Sequence, residues 1–146
     1  MYLVKNIFRE NYAAVKSIYF DKPEHSNWLV PYHQDLTIPV NKKADLKDYC
    51  NWTVKQDQFA VQPPLKILEN NFTVRIHLDN TDKNNGALKV IPGSHRKGIY
   101  RPEKINWADE KQIYCVANKG AAMMMRPLLL HASDKTINNQ NGALSI

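Results

Sequence analysis

The segment Phe72-Thr-Val-Arg-Ile-His-Leu-Asp79 constrains the fold more than any other. Phe72, Val74, Ile76 and Leu78 project to one side of an extended chain, and Thr73, Arg75, His77 and Asp79 to the other. Such a strand belongs to a sheet with one apolar face, and its polar face must meet either water or a wet cavity. Asn85-Gly86 follows as a tight-turn signal, expected to close a hairpin onto a core strand, Ala87-Leu-Lys-Val-Ile91, which Pro92-Gly93 ends.

Short extended segments recur along the chain. Trp28-Leu-Val-Pro-Tyr32, Leu36-Thr-Ile-Pro-Val40, Phe59-Ala-Val-Gln62 before two prolines, and Ile113-Tyr-Cys-Val-Ala117 all read as strands. Asn118-Lys-Gly120 reads as a turn, and Ala121 to Leu130 as the last long extended run. Lys42 to Val54 is polar and reads as a long loop or small insertion, and Arg101 to Lys111 as a loop with a helical turn. Asn11 to Phe20 suits a helix or a strand equally. Many punctuated strands and few helices predict a mainly β fold, an antiparallel sandwich or barrel, with a jelly roll as the natural candidate. The 146 residues suffice for one core, so a single domain over 1–146 is expected.

The charge balance, 20 Lys plus Arg against 14 Asp plus Glu, gives +6. The basic residues are scattered, densest only at Lys42-Lys43 and His95-Arg96-Lys97, and aromatics do not interleave with them, so no nucleic-acid partner is expected. The excess can instead steer an anionic small substrate. No membrane partner is expected, because the most apolar stretch, Gly120 to Ala132, is interrupted by Arg126 and Pro127. The first residues, Met1 to Glu10, lack the apolar run of a secretory signal, which predicts a cytoplasmic protein. Cys50 and Cys115, far apart and outside any C-x-x-C pattern, read as small buried hydrophobes.

Chemistry concentrates at two places. In Tyr32-His-Gln-Asp-Leu-Thr37, His33 and Asp35 project to one side and Gln34 to the other. Almost a hundred residues later, His131 ends the apolar run and is followed by Ala132-Ser133-Asp134. Two imidazoles and one carboxylate on neighbouring strands would form a facial set for Fe(II), leaving positions open for a chelating co-substrate and oxygen. The spacing fits equally well two half-buried histidines with ordinary hydrogen-bond partners.

From about Phe20 to Ser133 the chain resembles the phytanoyl-CoA dioxygenase family of non-haem Fe(II)- and 2-oxoglutarate-dependent oxygenases. The resemblance rests on Asp21-Lys-Pro with Trp28-Leu-Val-Pro-Tyr-His-Gln-Asp-Leu36, on Arg75-Ile-His-Leu-Asp79 followed by Asn84-Asn-Gly-Ala-Leu-Lys-Val-Ile-Pro-Gly-Ser-His95, and on Lys119-Gly120 before Met125-Arg-Pro-Leu-Leu-Leu-His-Ala-Ser133. It implies a double-stranded β-helix, the cupin-like jelly roll. It makes His33, Asp35 and His131 the catalytic metal ligands and points to Ser133 as a contact of 2-oxoglutarate. It also sets Arg75, with Thr73 on the same face, beside the co-substrate in the barrel lumen, and leaves His77 out of the ligand set. The segment from Asn85 to His95 is a family marker with a structural explanation, and His95 reads as a turn residue.

The implied reaction couples decarboxylation of 2-oxoglutarate to succinate with oxidation of a C–H bond by molecular oxygen. A carboxylate ligand, Asp35, leaves no site for halide and so favours hydroxylation. The partners implied are a small organic or acyl substrate and oxygen, with homo-oligomerisation left open. One departure stands out. The family's arginine for the distal carboxylate of 2-oxoglutarate falls where this chain has Gly142. A fragment of a longer reading frame, an altered end, or takeover of the anchor by Arg75 would each account for it, and the first is preferred. The alternative function is a non-catalytic metal-binding relic. Substrate choice is expected to lie in the loops Asn41 to Val54 and Tyr100 to Gln112.

Overall fold

The computed structural model describes Asn6, residues 12–21 and residues 28–137. Its strands are β1 (Val30–His33), β2 (Ile38–Val40), β3 (Cys50–Lys55), β4 (Gln58–Gln62), β5 (Thr73–Ile76), β6 (Leu88–Val90), β7 (Ile113–Cys115), β8 (Ala122–Met125) and β9 (His131–Ser133), with one short helix, α1 (Leu65–Asn70). They form a four-stranded sheet in the order β1-β9-β6-β7, a three-stranded sheet β2-β4-β3 and a two-stranded sheet β5-β8. Every pairing is antiparallel. The mainly β reading therefore holds. Among the described residues no helix is long and apolar enough to cross a membrane.

The alternating segment pairs Thr73–Ile76 against Ala122–Met125 and continues through His77, whose N–H donates to Ala121 O at 2.9 Å. Its polar face turns inward, since His77 is 1% exposed and Arg75 half-buried, whereas Ile76 on the apolar face is 46% exposed. Thr73, at the start of the strand, is exposed.

The turn at Asn85-Gly86 forms, with Gly86 at φ 87° and Ala87 N–H donating to Asp82 O at 3.0 Å. The Asp82 carboxylate stiffens it by accepting from the backbone N–H of Asn84 and Asn85. The expected hairpin does not: β5 pairs with β8, and β6 pairs with β7 and β9. A local turn signal fixes a reversal of the chain but not the sheet it enters, and here the chain crosses from one sheet to another.

Two other readings change. Lys42 to Val54 contains most of β3, which meets β4 through a two-residue turn in which Gln56 and Asp57 have φ 49° and 60°. That left-handed pair matches the twist of a tight hairpin, but Gln-Asp lacks the glycine that would advertise it. The long run from Ala121 breaks at Arg126–Leu129, where Leu129 N–H donates to Arg126 O at 3.0 Å around Pro127. The proline cannot extend the β8 ladder, so His131 opens a new strand in a different sheet. Residues 12–19 carry no regular structure. The readings of Met1 to Glu10 apart from Asn6, and of Asn138 to Ile146 with Gly142, lie outside the described residues.

Ile91, Ile105 and Leu130 form a buried cluster, with Tyr32 and Tyr100 packed against it. Ile105 reaches the core just after a 3-10 turn at Pro102–Lys104, the helical turn expected in that loop. The Pro-Gly-Ser-His marker also has its structural reason: Gly93, at φ 80°, opens a 3-10 turn, and the fully buried Ser94 Oγ accepts the Leu130 N–H at 2.8 Å. Of the two free cysteines, Cys115 is partly buried but Cys50 is exposed, contrary to expectation, because β3 lies at the open edge of its sheet.

Candidate metal centre

β1 and β9 are neighbours, and His33 stands directly opposite His131. Facing positions on adjacent antiparallel strands share one side of the sheet, so the imidazoles meet with ring centroids 4.2 Å apart. Each ring is oriented by its own strand. His33 Nδ1 lies 2.8 Å from Pro31 O, and His131 Nδ1 lies 2.8 Å from Leu129 O. A carbonyl only accepts, so Nδ1 carries the proton in both rings and each Nε2 keeps its lone pair.

Asp35 follows the end of β1, where its backbone N–H donates to Pro127 O at 2.9 Å. Its Oδ1 lies 3.9 Å from His33 Nε2, and its Oδ2 lies 3.9 Å from His131 Nε2. One donor atom from each of the three residues falls within 4.8 Å of the others. This is somewhat wider than the ~3 Å between adjacent donors of a six-coordinate ion with bonds of ~2.1 Å, and the two side chains that must close inward are the partly exposed ones. The His33 and Asp35 side chains are 40% and 48% exposed, while His131 is 9% exposed. One ligand is thus rigidly buried, and the other two stand at the rim. Burial, only partly offset by the Leu129 hydrogen bond and Asp35, holds the His131 pKa down, which favours the neutral, ligating imidazole. The donor chemistry and the tautomers fit a divalent transition metal.

Sequence reasoning gave Gln34 no role beyond pointing away. Its amide donates to Gly98 O at 2.9 Å and Leu128 O at 2.6 Å, while its carbonyl accepts from Tyr100 N–H at 2.9 Å. These bonds tie the His-x-Asp segment to the loop at Gly98–Tyr100 and to the stretch leading into β9. The signal available was a polar residue between two ligands, forced by alternation to the opposite side of the chain.

Ser133 is buried two positions after His131, on the same side of β9. Arg75 is close enough for its charge to lower the pKa of His131, and burial lowers its own. It remains a cation, because its ordinary value lies so far above neutrality. Thr73 shares the face of Arg75 but is exposed and paired with Met125. His77 lies outside the triad. Its buried Nε2 has no hydrogen-bond partner among the described residues, and burial, then Arg75, push its pKa down. His95 sits in its turn, also outside the triad. On the opposite face of the large sheet, Lys89 Nζ bridges to Asp134 Oδ1 at 2.7 Å, and Tyr114 OH donates to Asp134 Oδ2 at 2.6 Å, fastening β6 and β7 beside the end of β9.

The chain is similar to several known proteins. Peroxisomal phytanoyl-CoA dioxygenase of Rattus norvegicus is 23% identical over 143 residues, covering 86% of this chain and 35% of that protein. Among solved structures, EvdMO1 superposes with a TM-score of 0.56 at 16% identity, covering 87% of this chain and 24% of its own. The non-haem α-ketoglutarate-dependent carbocyclase SnoK from nogalamycin biosynthesis superposes with a TM-score of 0.54 at 12% identity, covering 87% and 45%. AviO1 from Streptomyces viridochromogenes Tue57 gives 0.53 at 18% identity, covering 87% and 45%. The chain thus spans about a third of the rat enzyme and less than half of each structure. At such identities the likeness is one of fold, the double-stranded β-helix. The model of the family described as phytanoyl-CoA dioxygenase matches residues 2–142, nearly the whole sequence, and the chain belongs to that family.

Proposed function

We propose that this chain is the jelly-roll domain of an Fe(II)- and 2-oxoglutarate-dependent oxygenase that hydroxylates a C–H bond of a small organic or acyl substrate. The observation that carries the reading is the in-register pair His33 and His131, both Nε2 atoms turned towards the Asp35 carboxylate. The family's enzymes use this iron and this co-substrate, and SnoK is an α-ketoglutarate-dependent carbocyclase.

His33, Asp35 and His131 hold the metal. Their own supports, the Pro31, Leu129 and Pro127 carbonyls, keep the donors convergent before the ion arrives. Bound iron supplies oxygen activation coupled to decarboxylation of 2-oxoglutarate. Ser133 offers a hydroxyl beside His131, and Arg75 of β5 a half-buried cation for the anionic co-substrate, with Thr73 at the exposed end of that strand's polar face. Asp35 would contribute the negative charge that partly neutralises the ion, and a carboxylate in this role favours hydroxylation over halogenation.

The test is succinate release from 2-oxoglutarate by the aerobic, Fe(II)-supplemented protein. Turnover lost in His131→Ala, and sharply reduced in Arg75→Leu, supports the reading. Release that persists in His131→Ala contradicts it.

A further inference from the structure

Outside the triad, a concavity of about 200 Å³ is lined by Glu69, His95, Arg96, Arg126 and Leu128. Arg126 and Leu128 flank Pro127, whose carbonyl holds the Asp35 backbone, and the Leu128 carbonyl accepts from Gln34. The wall of this cavity is therefore the stretch of backbone that positions the metal-ligating segment. Arg126 is anchored through Nη1 to Asn71 O at 3.1 Å. Neither arginine nor Glu69 takes part in an ion pair among the described residues. Two guanidinium groups, a histidine and one carboxylate line it together with buried Leu128, which leaves cationic charge in excess. Charges lining such a concavity act on an anion more strongly than they would on a flat, fully solvated surface.

We infer that this cavity binds an oxyanion, a phosphate or carboxylate group, at one end of the substrate. Its volume is below that of a site for a whole small-molecule ligand, ~300 Å³ and upwards. It accommodates the anionic terminus of a larger molecule. Guanidinium groups suit this task because their planar fork of donors matches two oxygens at once. Glu69 sets the affinity by opposing the arginines. The excess of basic residues in the whole chain adds long-range attraction for the same class of ligand. That the anion belongs to an oxidised substrate rests on the oxygenase reading, whereas anion binding itself does not.

The experiment is calorimetric titration of the full chain, metal-free and at ~150 mM salt to suppress surface association, with inorganic phosphate and separately with acetate. Saturable binding of one or both is expected, and the tighter anion identifies the terminus. Arg96→Gln should weaken it by about tenfold, the loss of one charge-assisted contact, and Glu69→Gln should tighten it severalfold. Both positions are exposed, so both variants should fold. Absence of saturable binding, or equal affinities in the three proteins, would overturn the inference. Binding that follows Arg96 and Glu69 in a protein unable to bind Fe(II) with 2-oxoglutarate would leave this site standing and remove the oxygenase reading.

Discussion

β9 and β3 are both short antiparallel strands, yet they have opposite characters. β9, His131-Ala-Ser133, is buried at every position and flanked on both sides, by β1 and β6. β3, Cys50–Lys55, is the edge of a separate sheet, exposed at all positions but one, with an irregular register against β4. A strand held from both sides can place a ligand within the few tenths of an ångström that metal binding demands. An edge strand on a solvated hairpin can vary without disturbing that placement. The chain thus separates a buried candidate metal centre from an exposed edge strand, and β3 lies largely within the segment expected to govern substrate choice.

Five variants sharpen or break this contrast, from the largest expected effect down. Leu130→Ala removes a fully buried side chain from the cluster behind β9 and should cost ~2–5 kcal/mol in urea unfolding, whereas Val54→Ala, at a residue 61% exposed in β3, should stay within ~0.5 kcal/mol. Equal effects would erase the distinction. Gln34→Ala deletes the bonds to Gly98, Leu128 and Tyr100, and should weaken metal affinity by ~10- to 100-fold in a competition titration. A variant that binds metal as tightly as the parent would show that Asp35 needs no such support.

His77 supplies a pH dependence. Its folded pKa lies below the ordinary histidine value, so between the two the unfolded chain binds a proton that the folded chain does not. Stability is therefore full above pH ~6.5 and falls as the pH drops below it, by at most ~1.4 kcal/mol per pH unit for this group. His77→Leu should flatten that acid limb and, by removing an unpartnered buried nitrogen, raise stability near neutrality by ~1 kcal/mol. An unchanged acid limb in chemical denaturation would show that His77 does not contribute. The smallest effect is expected at the hairpin, where Asp57→Gly relieves a left-handed residue and should stabilise the protein by a few tenths of a kcal/mol, up to ~1. No gain would mean that the aspartate side chain already compensates locally.

The same contrast explains what could be read from the sequence. Residues answering to the buried centre carried strong patterns. Alternation put His33 and Asp35 on one side, the division of β5 into a polar and an apolar face followed from its period of two, and the Pro-Gly-Ser-His turn carried its own chemistry. What alternation could not show was pairing, because register with a distant strand leaves no local trace. Asn85-Gly86 therefore suggested a hairpin that the topology replaces with a crossing, and Pro127 hid the start of β9 inside an apolar run. β3 was missed for a different reason: a solvated edge strand has no apolar face to betray its period, and Gln56-Asp57 is an atypical tight turn. α1 is only six residues long and buries only Leu68, too little for a helical stripe.

The most direct test of the central claim is anaerobic titration of the purified chain with Fe(II) and 2-oxoglutarate, read by the visible charge-transfer absorption of the chelate. The geometry of His33, Asp35 and His131 predicts a saturable, stoichiometric band in the parent protein that vanishes in His33→Ala. Failure of the parent to bind Fe(II), or a band of equal strength in His33→Ala, would contradict the assignment of these three residues as the metal centre.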